Sequence, residues 1–516
     1  MKCTITPAEM KALETRFMEE NAVPGALLME QAAMGVVDAI ARYTDNGTAV
    51  FLCGPGNNGG DGYAAARLWK ERGGTSHIVE ITDKAYGDAL LNRQKAIAAE
   101  IPFQNASEYE NLPLCDVIVD ALFGTGLARA VEGYAAALIH WANDRHLLGG
   151  TPVIAVDIPS GIDGTTGKVL GYEAVRATET VTFHQIKQGL LLNNAPDYVG
   201  RITVQPIGIP IGFGFDSISD DDCLGILEPS DLNTDLFDRP QTCHKGDFGR
   251  VVLFCGSRGM AGAAALCANA AMRAGAGLTT ILCRESLLTI LQVLAPSAMC
   301  AVLPEKDGLL TPEASDIARA ALSKADAACI GCGLGQTDDL LPLLTLFAQA
   351  ECPVLWDADA LNLLAKHPAL LPLKADDVIT PHPGEASRLL GCTTTDITNN
   401  ALAALDKLRE TCGCTVLLKG ARTLIRDDLG TSCNLYTSPA LAKGGSGDVL
   451  AGIITALLAR RYPHWDEGRL DSGHAAAYGA LIHGMAGIRA AKKHGENCTL
   501  PTDVVDCIRL DDKGIC

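Results

Sequence analysis

Short apolar runs alternate along this chain with longer helix-patterned segments, and most runs end at a glycine or an aspartate. Residues 49–53 read as a buried strand entering Gly54-Pro55-Gly56-Asn57-Asn58-Gly59-Gly60-Asp61-Gly62. Beyond it, Ala65, Leu68 and Trp69 share one face of a helix. Residues 117–119 lead to Asp120, and residues 153–156 lead to Asp157. Further runs at 250–254, 327–330, 354–356, 378–380 and 416–418 each open into a loop bearing glycine or aspartate. Strands alternating with helices predict a sheet covered on both faces, so both halves are expected to be α/β. Ligands of open parallel sheets bind beyond the carboxyl ends of the strands. The loops after 53, 119 and 156 are therefore expected to converge on one site.

Length divides this pattern. At 516 residues the chain exceeds what one core usually serves. We expect a first domain at 1–212, a linker at 213–240 and a second domain at 241–516. Gly214, Pro229 and Pro240 punctuate the linker, and Asp220-Asp221-Asp222 gives it a solvated acidic cluster. The net charge of −19 argues against nucleic-acid or anionic-membrane partners, while leaving small phosphorylated ligands open. No run of about 18 apolar residues predicts a membrane span. The first twenty residues carry Glu9, Glu14, Glu19 and Glu20 and do not read as a signal peptide. The 19 cysteines show no pair of Cys-x-x-Cys elements, and Cys412-Gly413-Cys414 reads as the one tight pair. Such a set suits reduced thiols, and a cytoplasmic protein is expected.

Two loops carry the candidate chemistry. Gly444-Gly445-Ser446-Gly447-Asp448 opens an apolar helix at 449–459. Its glycines admit a ligand close to the backbone, and the helix start offers free N–H groups to an anion. Asp448 stands where a base could take a proton from a hydroxyl. The earlier loop, 54–62, is not a Walker loop, since no Lys-Ser/Thr follows its last glycine. Its asparagine amides and Asp61 can hold hydroxyls, amides or a hard cation.

Asn57-Asn58-Gly59-Gly60-Asp61, Asp120-Ala121-Leu122-Phe123-Gly124-Thr125-Gly126 and Asp157-Ile158-Pro159-Ser160-Gly161 occur together in the first half. In this the chain resembles the NAD(P)H-hydrate epimerase family over about residues 5–210. The early Met29-Glu30-Gln31-Ala32-Ala33 and a later Lys187 also follow that pattern; His184 to Ile186 depart from it. The resemblance implies a Rossmann-like three-layer α/β/α domain. It implies that Asn57, Asn58, Gly59, Gly60 and Asp61 cradle the hydrated nicotinamide nucleotide with Gly124, Thr125, Gly126, Leu127, Ala128, Arg129 and Ala130. Asn58, Asp120 and Ser160 would coordinate potassium, and Asp157 would contact the reacting ring and transfer a proton.

In the second half, His244-Lys245-Gly246, Gly331-Cys332-Gly333-Leu334-Gly335, Pro381-His382-Pro383-Gly384-Glu385 and the loop at Asp448 follow one another. These resemble the ADP-dependent NAD(P)H-hydrate dehydratases over about residues 240–510, which implies a ribokinase-like α/β domain. By that resemblance Lys419, Gly420, Ala421, Arg422, Thr423 and Gly447 bind ADP. Ala263, Gly333, His382 and Asp448 contact the hydrate, with Asp448 as catalytic base. Cys332 stands where proline is usual, Lys443 where threonine is common and Ala440 where glycine is common.

The implied activity is metabolite repair, in which R-hydrate is epimerised to S, and S is dehydrated to NADH or NADPH. ADP is the phosphoryl donor, and potassium and magnesium are the ions. A homo-oligomer is expected. A vitamin or sugar kinase is the alternative for the second half, and a non-catalytic nucleotide sensor is a further one.

Overall fold

The computed structural model describes residues 2–214, 223–461 and 468–510; the acidic cluster Asp220-Asp221-Asp222 lies outside the described residues. It divides into two compact units, Cys3–Leu224 and a second that runs from Gly225 and includes Lys2.

In the first unit, seven strands form one sheet: β1 (Thr48–Cys53), β2 (Thr75–Glu80), β3 (Phe103–Asn105), β4 (Val117–Ala121), β5 (Val153–Val156), β6 (Glu179–Phe183) and β7 (Arg201–Gln205). Their order is β3-β2-β1-β4-β5-β6-β7, and every pairing is parallel. The direction of strand addition reverses between β1 and β4, and loops leaving the carboxyl ends there diverge to open a crevice. Alternate side chains serve opposite faces. Phe51, Val119 and Ile154 enter one core with helices α1 (Pro7–Asn21), α2 (Gly25–Ile40) and α3 (Asn57–Glu71). Val50, Leu52, Ile118 and Val153 enter the other, with Leu138, Ile139 and Ala142 of α4 (Gly133–Gly149). Thr6 and Glu9 close a capping box at the start of α1, which fixes where that helix begins.

The thiols are not all reduced as expected. Cys3 and Cys223 form a disulfide between the two ends of this unit. Their separation of 220 residues hides such a pair from any reading of spacing.

The second unit's sheet contains β8 (Leu224–Leu227), β9 (Arg250–Phe254), β10 (Leu278–Arg284), β11 (Met299–Leu303), β12 (Ala327–Ile330), β13 (Val354–Trp356), β14 (Val378–Ile379), β15 (Thr415–Leu418), β16 (Thr423–Arg426) and β17 (Thr431–Asn434). These run in the order β8-β17-β16-β15-β14-β13-β12-β9-β10-β11. The block from β15 through β11 is parallel, whereas β15-β16 and β16-β17 are antiparallel. Helix α5 (Ala261–Arg273) buries Ala264, Ala268 and Ala271 against the same core as Val449, Ile453 and Leu457 of a later helix, Ser446–Ala459. Small side chains at those positions let the two helices approach closely, so the alanines are packing residues. Among the described residues, no helix is long and apolar enough to cross a membrane.

Candidate active sites

Strand β1 delivers the first loop. Gly56 caps α3 without a side-chain hydrogen bond, so the N–H groups of Asn57, Asn58 and Gly59 have no intrahelical partner. Backbone approaches backbone closely in this turn. A Cβ on Gly59 would lie 1.9 Å from the Gly54 carbonyl oxygen, and one on Gly54 1.8 Å from that of Leu122. Gly59→Ala is therefore expected to cost about 1–3 kcal/mol in chemical denaturation, and wild-type stability would contradict this packing.

Asp120, at the end of β4, is fully buried. It accepts bonds from Ser160 Oγ at 2.6 Å and the Ser160 N–H at 2.7 Å. The Ser160 hydroxyl also reaches Phe123, accepting from its N–H at 2.9 Å. Burial lifts Asp120 to about 6 against those bonds. Nearby, Asn58 buries its Nδ2 with no partner among the described residues. Its Oδ1 lies 3.0 Å from where a Cβ on Gly124 would sit, so the first loop touches the Gly124–Ala130 turn. That turn is half-buried to exposed.

Asp157, after β5, has φ +65°, a left-handed conformation costing a non-glycine residue about 1–3 kcal/mol. Three donors converge on its Oδ1: Lys187 Nζ at 2.7 Å, Thr182 Oγ1 at 3.1 Å and the Phe183 N–H at 3.4 Å. Among the described residues, none occupies Oδ2. The Lys187 side chain is 1% exposed and also donates to the Phe183 carbonyl at 2.8 Å. Burial raises Asp61 well above the usual carboxylate range, and the charges of Asp157 and Glu14 add to it. Burial likewise raises Glu14, on α1. The Lys187 ammonium, paired with Asp157, partly offsets the rise at both Asp61 and Glu14. Lys187, Thr182 and Glu14 were not among the sequence-derived site residues; the pattern around Lys187 was visible, its pairing with Asp157 was not.

In the second unit, Gly445 has φ +102° and starts helix Ser446–Ala459 without a side-chain cap. Gly447 and Asp448 stand in its first turn, where N–H groups lack intrahelical partners. A Cβ on Gly447 would lie 3.5 Å from Lys419 Nζ and 3.9 Å from Asp357 Oδ2. Lys419 Nζ donates to Asp357 Oδ1 at 2.7 Å and lies 3.8 Å from Glu385 Oε2. Burial pulls Lys419 down, and Asp357 and Glu385 more than offset it. Burial lifts Asp448 to about 9, helped by Cys332 and Asp357. His382 caps the helix Pro383–Leu390, accepting from the Gly384 N–H at 2.9 Å, and approaches Glu385 Oε1 at 3.2 Å. Gly333 borders Ala263, whose Cβ lies 2.8 Å from where a Cβ on Gly333 would sit.

So Gly447, Asp448 and Lys419 gather at one point, with Asp357 and Glu385 added by the structure. Gly420 and Ala421 are exposed beyond Lys419. Arg422 is bound into its own strand pair through the Leu435 carbonyl at 2.9 Å and Thr437 Oγ1 at 3.3 Å. The Lys443 ammonium is held by the carbonyls of Asn497 and Thr499, at 2.8 and 2.6 Å. His483, lowered to about 4 by burial, supports the glycine loop from Ser446 Oγ at 3.2 Å. No sequence signal pointed to it, because a single histidine inside an apolar helix is indistinguishable from core.

Each unit sets buried carboxyl groups beside an uncapped helix start, which gives the chain two candidate sites on two α/β scaffolds. Residues 251–510 match the family model described as NAD(P)H-hydrate dehydratase, and residues 25–189 match that of the YjeF-related protein N-terminus. The chain is 36% identical to the bifunctional NAD(P)H-hydrate repair enzyme Nnr of Coxiella burnetii, over 97% of this chain and 98% of that one. Its identity to the Escherichia coli Nnr is also 36%, over 91% and 86%. A solved ADP/ATP-dependent NAD(P)H-hydrate dehydratase from Bacillus subtilis, co-crystallised with ATP and magnesium, is 27% identical over 52% of this chain and 91% of that one, with a TM-score of 0.44. The chain belongs to the family of bifunctional NAD(P)H-hydrate repair enzymes.

Proposed function

We propose that the first unit converts R-NAD(P)H hydrate to the S epimer and that the second dehydrates the S epimer with ADP. The observation that carries the second activity is the meeting of Asp448, Asp357 and Lys419 beneath the uncapped start of the Ser446–Ala459 helix. Hydroxide is a poor leaving group. Asp448 accepts the substrate hydroxyl proton, and that oxygen takes the terminal phosphoryl group as its bond to the ADP bridging oxygen breaks. The N–H groups of Gly447 and Asp448 and the Lys419 ammonium stabilise the negative charge on the moving group. Phosphate then departs, driven by the ring nitrogen, and the adjacent ring carbon gives up a proton to the leaving phosphate, leaving AMP and restored dihydronicotinamide. Asp357 would hold magnesium, which would neutralise phosphate charge, leaving Asp448 free to act as the base. Gly420, Ala421, Arg422 and Thr423 form the nucleotide side, while Ala263, Gly333 and His382 face the hydrate.

In the first unit, Asp157 is the partner held by Lys187, its Oδ1 fixed by that ammonium and its Oδ2 left for substrate. Asp61, raised by burial, supplies a protonated carboxyl beside it. An acid and a base placed together suit proton transfer at a hydroxyl-bearing carbon. The nucleotide lies across Asn57 to Asp61 and Gly124 to Ala130. Asp120, Ser160 and Asn58 fit potassium. Among the described residues no basic group pairs with the buried Asp120, and the Asn58 amide, turned over, exchanges an unpartnered donor for an oxygen. That ion would offset the carboxylate charge. Ser160→Ala is expected to weaken the potassium response about tenfold or more, read as the potassium concentration giving half-maximal epimerisation. An unchanged value would remove Ser160 from the site.

The test of the whole reading is recovery of dihydronicotinamide absorbance from mixed R and S NADPH hydrate with ADP, magnesium and potassium. Complete recovery, faster than spontaneous epimerisation, supports both activities. Recovery that stops at the S fraction leaves only the second. A stable phosphorylated product would favour a vitamin or sugar kinase instead. A cytoplasmic location suits substrates of this kind and the many free thiols, the Cys3–Cys223 pair being the exception. A homo-oligomer is the assembly to test by light scattering.

A further inference from the structure

Four thiols from separate parts of the second unit meet in its core. Cys255 follows β9, Cys267 lies on α5, Cys329 is in β12 and Cys332 follows it in the substrate-side loop. All four are fully buried and none is disulfide-bonded. Their Sγ atoms lie within 4.8 Å of one another. Cys329-Ile330-Gly331-Cys332 is moreover a Cys-x-x-Cys element. The sequence reading, which took Cys412-Gly413-Cys414 as the one tight pair, passed over it.

Ordinary packing gives no reason for four sulfurs to share one point. A tetrahedral ion with metal–sulfur bonds of about 2.3 Å does, since it sets its sulfurs about 3.8 Å apart. The observed grouping needs at most about an ångström of contraction to reach that spacing. Multi-iron clusters spread their thiolates farther than this, which leaves a single ion. Four fully buried thiolates, without an open position, define a structural rather than a catalytic site, with Cys332 Sγ 3.6 Å from Asp357 Oδ2 at its border with the reaction site.

We propose that Cys255, Cys267, Cys329 and Cys332 bind one zinc ion as a tetrathiolate. On binding, each thiol gives its proton to solvent and its sulfur lone pair to the ion, with no change of oxidation state. The ion ties β9, α5 and β12 together behind the hydrate-facing wall. The same loops already meet through the Gly256 N–H to the Cys332 carbonyl at 2.8 Å and Ser257 Oγ to the Gly333 carbonyl at 2.8 Å. Ala263 and Gly333 belong to the elements so fixed. The proposal stands apart from the assigned reaction, because its readout is metal content.

The full chain, purified from zinc-supplemented cells without chelator, is expected to carry about one equivalent of zinc by elemental analysis. Replacing zinc with cobalt is expected to give the intense thiolate-to-cobalt charge-transfer absorption of a tetrahedral sulfur site. Cys255→Ser and Cys329→Ser should each abolish both signals, while Cys412→Ser, at a buried cysteine outside the group, should leave them unchanged. Iron in zinc's place with the same dependence on these cysteines would uphold the tetrathiolate. Metal-free wild-type protein in which every cysteine outside the Cys3–Cys223 pair titrates as free in denaturant overturns the proposal, and needs no variant to fold. Metal retained in the Cys255→Ser/Cys329→Ser double variant overturns it equally.

Discussion

Asp448→Asn is expected to keep adenine-nucleotide affinity while dehydration falls at least ~100-fold, the low end of what a positioned base contributes. Asparagine preserves shape and the N–H nest but cannot accept the proton. The pH dependence makes the test sharper. Asp448 titrates near 9 in the ligand-free fold, against 3.8 for an ordinary aspartate, because burial and the neighbouring Cys332 and Asp357 oppose its charge. The competent ionised form therefore grows as pH rises, and kcat/KM for the S-hydrate should climb through neutrality and level off above about 9. The stability effect has the opposite sign. The folded state keeps its proton while the unfolded chain has lost it, so this group's contribution is full below about 4 and is lost as pH rises toward about 9. Asp448→Asn should flatten both dependences, checked by initial rates and by denaturation midpoints across that range. Wild-type turnover in the variant would end the assignment.

Lys187→Met is expected to abolish epimerisation and to destabilise the first unit by about 3–5 kcal/mol. The lysine is fully enclosed, and its loss leaves the Asp157 carboxylate buried without its cation. It acts through Asp157, so a readout is needed that distinguishes positioning from bulk stability. Adding Asp157→Asn to Lys187→Met removes the unpaired charge and should recover most of the stability, yet no activity. Epimerisation by the single variant at the wild-type rate would show that Lys187 does not position the base. Lys187→Arg is not expected to rescue, because a guanidinium does not fit a cavity shaped for one ammonium between Asp157 and the Phe183 carbonyl.

Much of the architecture was legible because its signal is local. Buried strands such as 49–53 and 153–156 read as continuous apolar runs, and each ends in the glycine or aspartate that marks a loop at the sheet's carboxyl edge. Loops 54–62 and 444–448 were readable as helix starts for the same reason. What stayed hidden depends on pairing across distance. Nothing near Lys187 in sequence announces that it will neutralise Asp157. The roles of Asp357 and Glu385 beside Lys419 required three strands to place their ends together.

The sequence by itself determined the elements, the α/β class and which loops open helices beyond the sheet's carboxyl edge, since hydrophobic period, glycine and helix-start signals act over a few residues. Only the tertiary structure decided the charge state and company of each group. Burial lifts Asp448 to about 9 and Asp120 to about 6. The same folding joined Cys3 to Cys223 and brought Cys255, Cys267, Cys329 and Cys332 within 4.8 Å. The physical reason is common to all of them: desolvation and contact depend on distance through space, which a linear spacing does not encode.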